Sequence, residues 1–117
     1  MYSEHALLNT FIHATLKNRM KWTTDTTNIE AALSDMRDDD VVLTFFYDKM
    51  QATFALLINE ETELVRFMLF DAHGDWLYEI DSDDPQDGEL VRTLFDVVGR
   101  QMSGVASIID SVIHDFS

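Results

Sequence analysis

Five carboxylates lie within nine residues of one stretch, DSDDPQDGE at positions 81–89. Clustered carboxylates can bind a hard cation such as Ca²⁺ or Mg²⁺, attract a basic partner, or accept hydrogen bonds from the free N–H groups at the start of a helix. The spacing of the carboxylates and the elements beside them decide which of these chemistries applies.

The spacing of this stretch does not fit a calcium loop. An EF-hand loop that begins at Asp81 needs glycine at its sixth position and glutamate at its twelfth. The sequence has Gln86 and Arg92 there, and Pro85 takes the fifth position, where an oxygen ligand is expected. A loose Ca²⁺ or Mg²⁺ site without a motif stays open. We predict no metal centre and no cofactor, because the histidines also lack metal-binding spacing; they are His5, His13, His73 and His114.

Helix capping is the role that the neighbouring sequence favours for these carboxylates. Most of them precede or enter a long segment with helical periodicity, where carboxylates satisfy backbone N–H groups and interact with the helix dipole. Pro85 is typical of the first turn of a helix. The carboxylates concerned are Asp83, Asp84, Asp87 and Glu89.

Two helices are predicted before the first strand. Apolar residues recur at helical spacing between positions 3 and 19, and Ser3 is placed to cap that helix. Thr27 and Glu30 form the S/T-x-x-E capping pattern, which predicts a short second helix that ends near Met36.

Four short strands are predicted next, at 41–47, 52–58, 64–70 and 76–80, each rich in aliphatic and aromatic residues. The links between them are too short for the crossover that parallel strands need, so the strands form an antiparallel meander. Both faces of the first strand are largely apolar, so the sheet needs covering on both sides.

The last segment, 90–116, has apolar residues at every third or fourth position and predicts a long helix, with a bend or break near Ser103 and Gly104. We therefore predict a single α+β domain over residues 1–117. In it, the N-terminal and C-terminal helices pack on a four-stranded antiparallel meander, and the short helix lies near an edge.

A meander brings alternate connections to the same end of the sheet. The entry to the first strand, the link between the second and third strands, and the exit from the fourth are therefore expected at one end, where they form an acidic rim. Such a rim would attract a basic partner, or would act only as a solubilising edge. Its predicted members are Asp38, Asp39, Asp40, Glu60, Glu61, Glu63, Asp81, Asp83, Asp84, Asp87 and Glu89.

The charge and composition limit the partners. A net charge of −14 with only eight Lys and Arg argues against direct binding to nucleic acid or to anionic membranes. No apolar run is long enough to span a bilayer, no secretory signal pattern is present, and cysteine is absent. We expect a cytoplasmic protein.

Catalytic motifs are missing from the sequence. No serine lies in a G-x-S-x-G elbow, and four glycines do not form a phosphate-binding loop. Paired carboxylates for acid–base chemistry stay open, but none is set apart by apolar neighbours. An enzyme is therefore the weaker functional class.

Three stretches together carry a resemblance: FIHATLKNRMKW at 11–22, GDWLYEI at 74–80, and GRQMSGVASIIDSVI at 99–113. The pattern resembles small uncharacterised bacterial and phage proteins that join an N-terminal helix and Lys-Trp to a strand meander and a closing helix. This resemblance implies the fold but brings no activity or site residue.

The function that we predict first is a non-enzymatic binding module, an adaptor or chaperone, whose partner is another protein; the acidic rim favours a basic one. In size, charge and class it resembles the acidic secretion chaperones. The alternatives are an acidic mimic of nucleic acid that inhibits a DNA-binding protein, and an enzyme or binder of a small cationic ligand. Because large apolar patches are rare on soluble monomers, a homodimer that buries part of the sheet is a further hypothesis.

Overall fold

The computed structural model describes residues 3–34 and 41–117, apart from the side chains of residues 105 and 106. In these residues the strands and helices follow one another in the order predicted, with the last predicted helix divided in two, and a 3₁₀ turn at Thr27–Ile29 precedes the second helix. The elements are α1 Glu4–Leu16, α2 Glu30–Leu33, β1 Val41–Tyr47, β2 Ala52–Ile58, β3 Val65–Phe70, β4 Trp76–Asp81, α3 Gly88–Ser103 and α4 Val105–Phe116.

The strands form one antiparallel sheet in the order β1-β2-β3-β4, which confirms the predicted α+β meander. The pairing of β3 with β4 shifts register between Leu69 and Phe70, because Leu69 lies opposite Tyr78 whereas Phe70 lies opposite Trp76. Leu77 is therefore an extra residue on β4, as in a β-bulge.

The first face of the sheet is covered by α1 and α3, as predicted. Phe11 of α1 lies at the centre of this layer, and its ring meets four other aromatic rings edge-on at centroid distances of 4.8–6.2 Å. Edge-to-face pairs of this kind contribute about 0.5–1.5 kcal/mol each beyond the burial of their area. The four partners are Trp22, Phe45, Phe54 and Phe67.

The second face is covered by the segment that contains the 3₁₀ turn and α2, and the residue of this segment that lies over the central strands belongs to the 3₁₀ turn. Ile29 is almost fully buried and packs on the central strands against Leu57, Met68 and Phe70. The alternating apolar residues of β2 and β3 supply a buried surface on this face also, so a short helix is held there by packing. The predicted end of this helix at Met36 lies outside the described residues.

The first helix is shorter than predicted at its C-terminal end. Ser3 caps its N-terminus as expected, with Oγ accepting from the N–H of Ala6 at 3.2 Å. Asn18 adopts a left-handed conformation, φ 57°, and Arg19 N–H donates to the carbonyl of Ala14. These are the features of a Schellman stop, which turns the chain toward the sheet.

Gln101 of α3 ties the segment after α1 to the helix layer. Its Nε2 donates to the carbonyl of Met20 at 2.7 Å, and its Oε1 accepts from the N–H of Trp22 at 3.2 Å. One side chain thus satisfies backbone groups that no helix or strand satisfies.

The C-terminal segment is divided at Gly104, as the sequence predicted. Gly104 has φ 78° and ends α3, and α4 begins at the next residue. The break is sharp because a left-handed residue cannot continue a right-handed helix. The helix also begins at Gly88 rather than near Pro85, which lies in the turn before it.

Gly74, at the turn between β3 and β4, offers a test of this packing. A Cβ at Gly74 would lie 2.6 Å from the carbonyl oxygen of Asn28, and its φ is 79°. We expect Gly74→Ala to lower the free energy of unfolding by about 1–3 kcal/mol, because the strain cannot be relieved without moving backbone. Gly99→Ala is the matched control, since nothing lies within 4 Å of its Cβ position; it should gain up to about 1 kcal/mol of stability. Urea unfolding of both variants measures the difference, and equal effects would contradict the proposed close approach.

Asp25 provides a test by pH titration. Its carboxylate accepts hydrogen bonds from the hydroxyl and the N–H of Thr27 at 2.6 and 3.0 Å, which hold the pKa of Asp25 below its usual value of 3.8. A lowered folded-state pKa stabilises the fold above the unfolded pKa, and this contribution is lost as the pH falls through the folded pKa. We expect Thr27→Val to raise the pKa of Asp25, as measured by NMR titration. An unchanged pKa would show that the hydroxyl has no such role.

Candidate functional site

The structure describes two of the acidic connections, and both lie at the same end of the sheet. Val41 pairs with Ile58, Ile58 pairs with Val65, and Arg66 pairs with Asp81, so the β2–β3 and β4–α3 links leave the sheet at the end where β1 begins. The meander thus brings together two of the three predicted parts of the acidic rim. Asp38, Asp39 and Asp40 lie outside the described residues.

Two carboxylates in the β4–α3 link act within the link itself. Asp84 Oδ2 accepts from the N–H groups of Gln86 and Asp87 at 3.1 and 2.8 Å, and Asp81 Oδ1 accepts from the N–H of Asp83 at 2.9 Å. These bonds organise the turn just before α3. Asp87, at the N-cap position of α3, makes no side-chain capping hydrogen bond. Asp84 therefore caps the turn before α3 and not α3 itself, and the predicted side-chain cap at Asp87 does not form.

Asp87 is directed toward α1 instead of toward solvent. Its Oδ1 lies 3.3 Å from Nδ1 of His5, and its side chain is only 12% exposed. The contact joins the first turn of α1 to the start of α3, which are 82 residues apart in the chain. Asp87 therefore helps to hold α1 against α3. Because its side chain is largely buried, a binding partner would have little access to it.

The remaining rim carboxylates are exposed. The β2–β3 link is a tight turn in which Asn59 Oδ1 accepts from the N–H groups of Glu61 and Thr62. This turn projects its glutamates from the end of the sheet, beside the β4–α3 link. The exposed carboxylates are Glu60, Glu61, Glu63, Asp83 and Glu89.

A second candidate surface is an open strand edge, which the residue patterns did not single out as a site. One end of this edge lies at the acidic end of the sheet. Within residues 3–34 and 41–117, the last strand of the sheet, β4, pairs with β3 on one side only. Trp76 and Leu77 at its start are 57% and 59% exposed, whereas Ile80 near its end is buried. Glu79 is bound to Arg66 at 2.7 Å, so the middle of β4 is fixed on the sheet. The sequence did contain a signal for this edge, because the last strand of a predicted meander pairs with a neighbour on one side only.

The opposite edge of the sheet is partly closed. Thr23 and Thr44 exchange two backbone hydrogen bonds, Thr23 N–H to the carbonyl of Thr44 at 2.9 Å and the reverse at 2.8 Å. The hydroxyl of Thr44 also donates to the carbonyl of Asp25 at 2.6 Å. The middle of β1 is therefore covered by the chain itself, and β4 is the edge more open to a partner.

A shallow cavity of about 370 Å³ adjoins the start of β4. It lies between the second-face segment and the β3–β4 turn, and Trp76, Asn28 and Asp75 contribute to its lining. Mixed apolar and polar walls of this kind suit a side chain from a neighbouring segment.

Metal and membrane features were also sought in the described ranges, 3–34 and 41–117. No group of three or more His, Asp or Glu side chains there is arranged to hold a metal ion. None of the helices in that part of the chain combines the length and the apolarity needed to cross a bilayer.

Comparisons of the chain with protein-family models, with curated proteins and with solved structures found no match.

Substitutions at Asp84 and at Asp83 can separate the hydrogen-bonding role of Asp84 from the effect of its negative charge. We expect Asp84→Ala to lower the free energy of unfolding by about 1 kcal/mol, because two backbone N–H groups lose their acceptor. The control is Asp83→Ala, which removes the same charge from an exposed neighbour and should change stability by less than about 0.5 kcal/mol. Thermal or urea unfolding measures both, and equal losses would show that charge alone matters.

Proposed function

We propose that this protein is a non-enzymatic binding module that adds an extended segment of another protein to β4. The observation that carries the proposal is the open edge of β4, with exposed Trp76 and Leu77 at one end and the acidic link at the other. An edge strand offers a row of backbone donors and acceptors that a second chain can pair with.

The mode of binding follows from strand geometry. Backbone hydrogen bonds to β4 would supply affinity without regard to sequence, and side chains at alternate positions would supply specificity. At the start of β4 an apolar side chain of the bound segment would contact Trp76 and enter the adjoining cavity. At the end of β4 a Lys or Arg would lie beside Asp83 and Glu89.

The acidic end would raise the rate at which a basic partner associates more than it would raise the affinity of the final complex. Exposed charges steer a basic segment toward the protein and are screened by salt, whereas an apolar and backbone contact is not. A segment that is basic at one end and apolar at the other fits both features. This matches an adaptor or chaperone that holds part of a client in extended form.

A nucleic-acid mimic is the second candidate, and the five exposed carboxylates at one end of the sheet favour it. In that case the carboxylates would replace phosphates, and the bound surface would be the acidic end rather than the strand edge. The two functions differ in their salt dependence. Mimicry would lose most of its affinity between about 50 and 200 mM salt, as phosphate contacts do.

Substitution at Leu77 tests the proposed function. A display library of peptides about eight residues long, the length of a typical strand, would be selected on the immobilised full chain. We expect enriched peptides to alternate apolar residues and to carry Lys or Arg at one end. Leu77→Pro should abolish their binding, because proline removes a donor and blocks strand pairing at the edge.

Two controls accompany this test. Leu77→Ser keeps the backbone donor and should weaken binding only partly. Met50→Ser removes a comparably exposed apolar side chain from the β1–β2 turn and should leave binding unchanged. Peptides that bind Leu77→Pro as tightly as the original chain would overturn strand addition. If their binding also fades with salt and is lost in Asp83→Asn with Glu89→Gln, the mimic is favoured.

A further inference from the structure

The helix α4 carries an apolar stripe that the described residues of the chain leave exposed. Four aliphatic side chains on it are 51–65% exposed, and Phe116 is 86% exposed. They recur at helical spacing on one side of α4, while Ser107, Asp110, Ser111 and His114 occupy the other. The apolar stripe consists of Ile108, Ile109, Val112, Ile113 and Phe116.

Such a helix is poorly stable by itself. It has 12 residues, and five of them are β-branched valine or isoleucine, which lower helix propensity. Isolated helices shorter than about 12–15 residues are marginal in water even with the best helix formers. The helix α4 therefore needs contacts with another apolar surface to remain helical. Those contacts must come from outside the described part of the chain.

The position of α4 leaves the stripe accessible. Gly104 turns the chain between α3 and α4, and the molecule measures 48 × 33 × 31 Å, with a radius of gyration of 14.8 Å. A compact chain of this length has a radius of gyration of about 13.4 Å. Ile109 lines a cavity of about 170 Å³ together with Leu16, which is also 59% exposed, so the stripe continues onto the end of α1.

We propose that the stripe is covered by α4 of a second copy, the two helices packing antiparallel about a two-fold axis. The five side chains present on the order of 500 Å² of apolar surface. Two copies together would bury about 1,000 Å², which is where specific interfaces begin. A self-complementary stripe meets the requirement of two-fold symmetry that the same patch serve both chains.

Charge favours a second copy over a basic partner at this surface. The chain has a net charge of −14, yet residues 90–117 hold only three acids against Arg92 and Arg100. Two copies therefore repel each other less through this nearly balanced part than through the acidic end of the sheet. A basic partner would be attracted instead to the acidic end of the sheet. This dimer, formed through α4, differs from the homodimer expected from the sequence, which would bury part of the sheet. It does not depend on binding at β4.

Mass measurement of the full chain tests the dimer. At about 100 µM, light scattering should give the mass of two chains, and Ile113→Glu should raise the dissociation constant about 30-fold or more. Ser111→Glu places the same charge on the polar side of the same helix and should leave the dimer intact. Near-UV circular dichroism of the aromatic side chains reports whether the body of each variant stays folded, which we expect because α4 lies outside the main core.

A cross-link tests the arrangement of the two helices. Since the chain has no cysteine, Val112→Cys introduces a single thiol on the stripe, and His114→Cys introduces one on the polar side. We expect only Val112→Cys to form a disulfide-linked dimer under mild oxidation, because its two copies lie near the two-fold axis. Hydrogen exchange of the α4 amides should also slow as the protein concentration rises.

Several results would overturn the proposal. They are a mass of one chain at about 100 µM, a dimer that persists in Ile113→Glu, a dimer that is lost equally in Ser111→Glu, and disulfide formation by His114→Cys alone. A chain that stays monomeric but sediments with phosphatidylcholine vesicles would assign the stripe to a lipid surface instead.

Discussion

The packing of Phe11 against the sheet is the interaction on which most of the structure depends. Its ring meets residues from β1, β2, β3 and the segment after α1, with the shortest centroid distance, 4.8 Å, to Phe54. This contact sets where α1 lies. The position of α1 in turn brings His5 to Asp87 at one end and allows Thr15 Oγ1 to accept from Nε1 of Trp22 at the other.

The covering of both sheet faces by the chain itself restricts where a partner can bind. On the first face two helices bury the aromatic layer, and on the second face Ile29 closes the centre. The surfaces that the described residues leave open include an edge, an end and one side of α4. The edge of β4, the acidic end and the stripe on α4 differ in chemistry, so each suits a different kind of contact: backbone pairing, charge, and apolar packing.

Local sequence patterns were enough to predict much of the fold. Short links dictated the antiparallel meander, Ser3 indicated the start of α1, and the glycine at 104 indicated the break between α3 and α4. The burial of Ile29 on the second face could not be predicted in this way, because it depends on which apolar surface remains after α1 and α3 have packed. The same holds for Asp87, whose partner His5 is 82 residues away. The gathering of acids at one end followed from topology, but which of them turn inward depends on hydrogen bonds formed only in the folded chain.

The bridge between Thr23 and Thr44 has a consequence for assembly by strand pairing. A sheet with two free borders can add neighbours on both sides and so grow into a fibre without limit. With the middle of one border occupied by its own chain, this molecule can extend its sheet in a single direction. If a guest strand pairs with β4 as proposed, each copy would accept one such strand and stop, which would give a one-to-one stoichiometry and protect an aromatic-rich sheet from open-ended polymerisation.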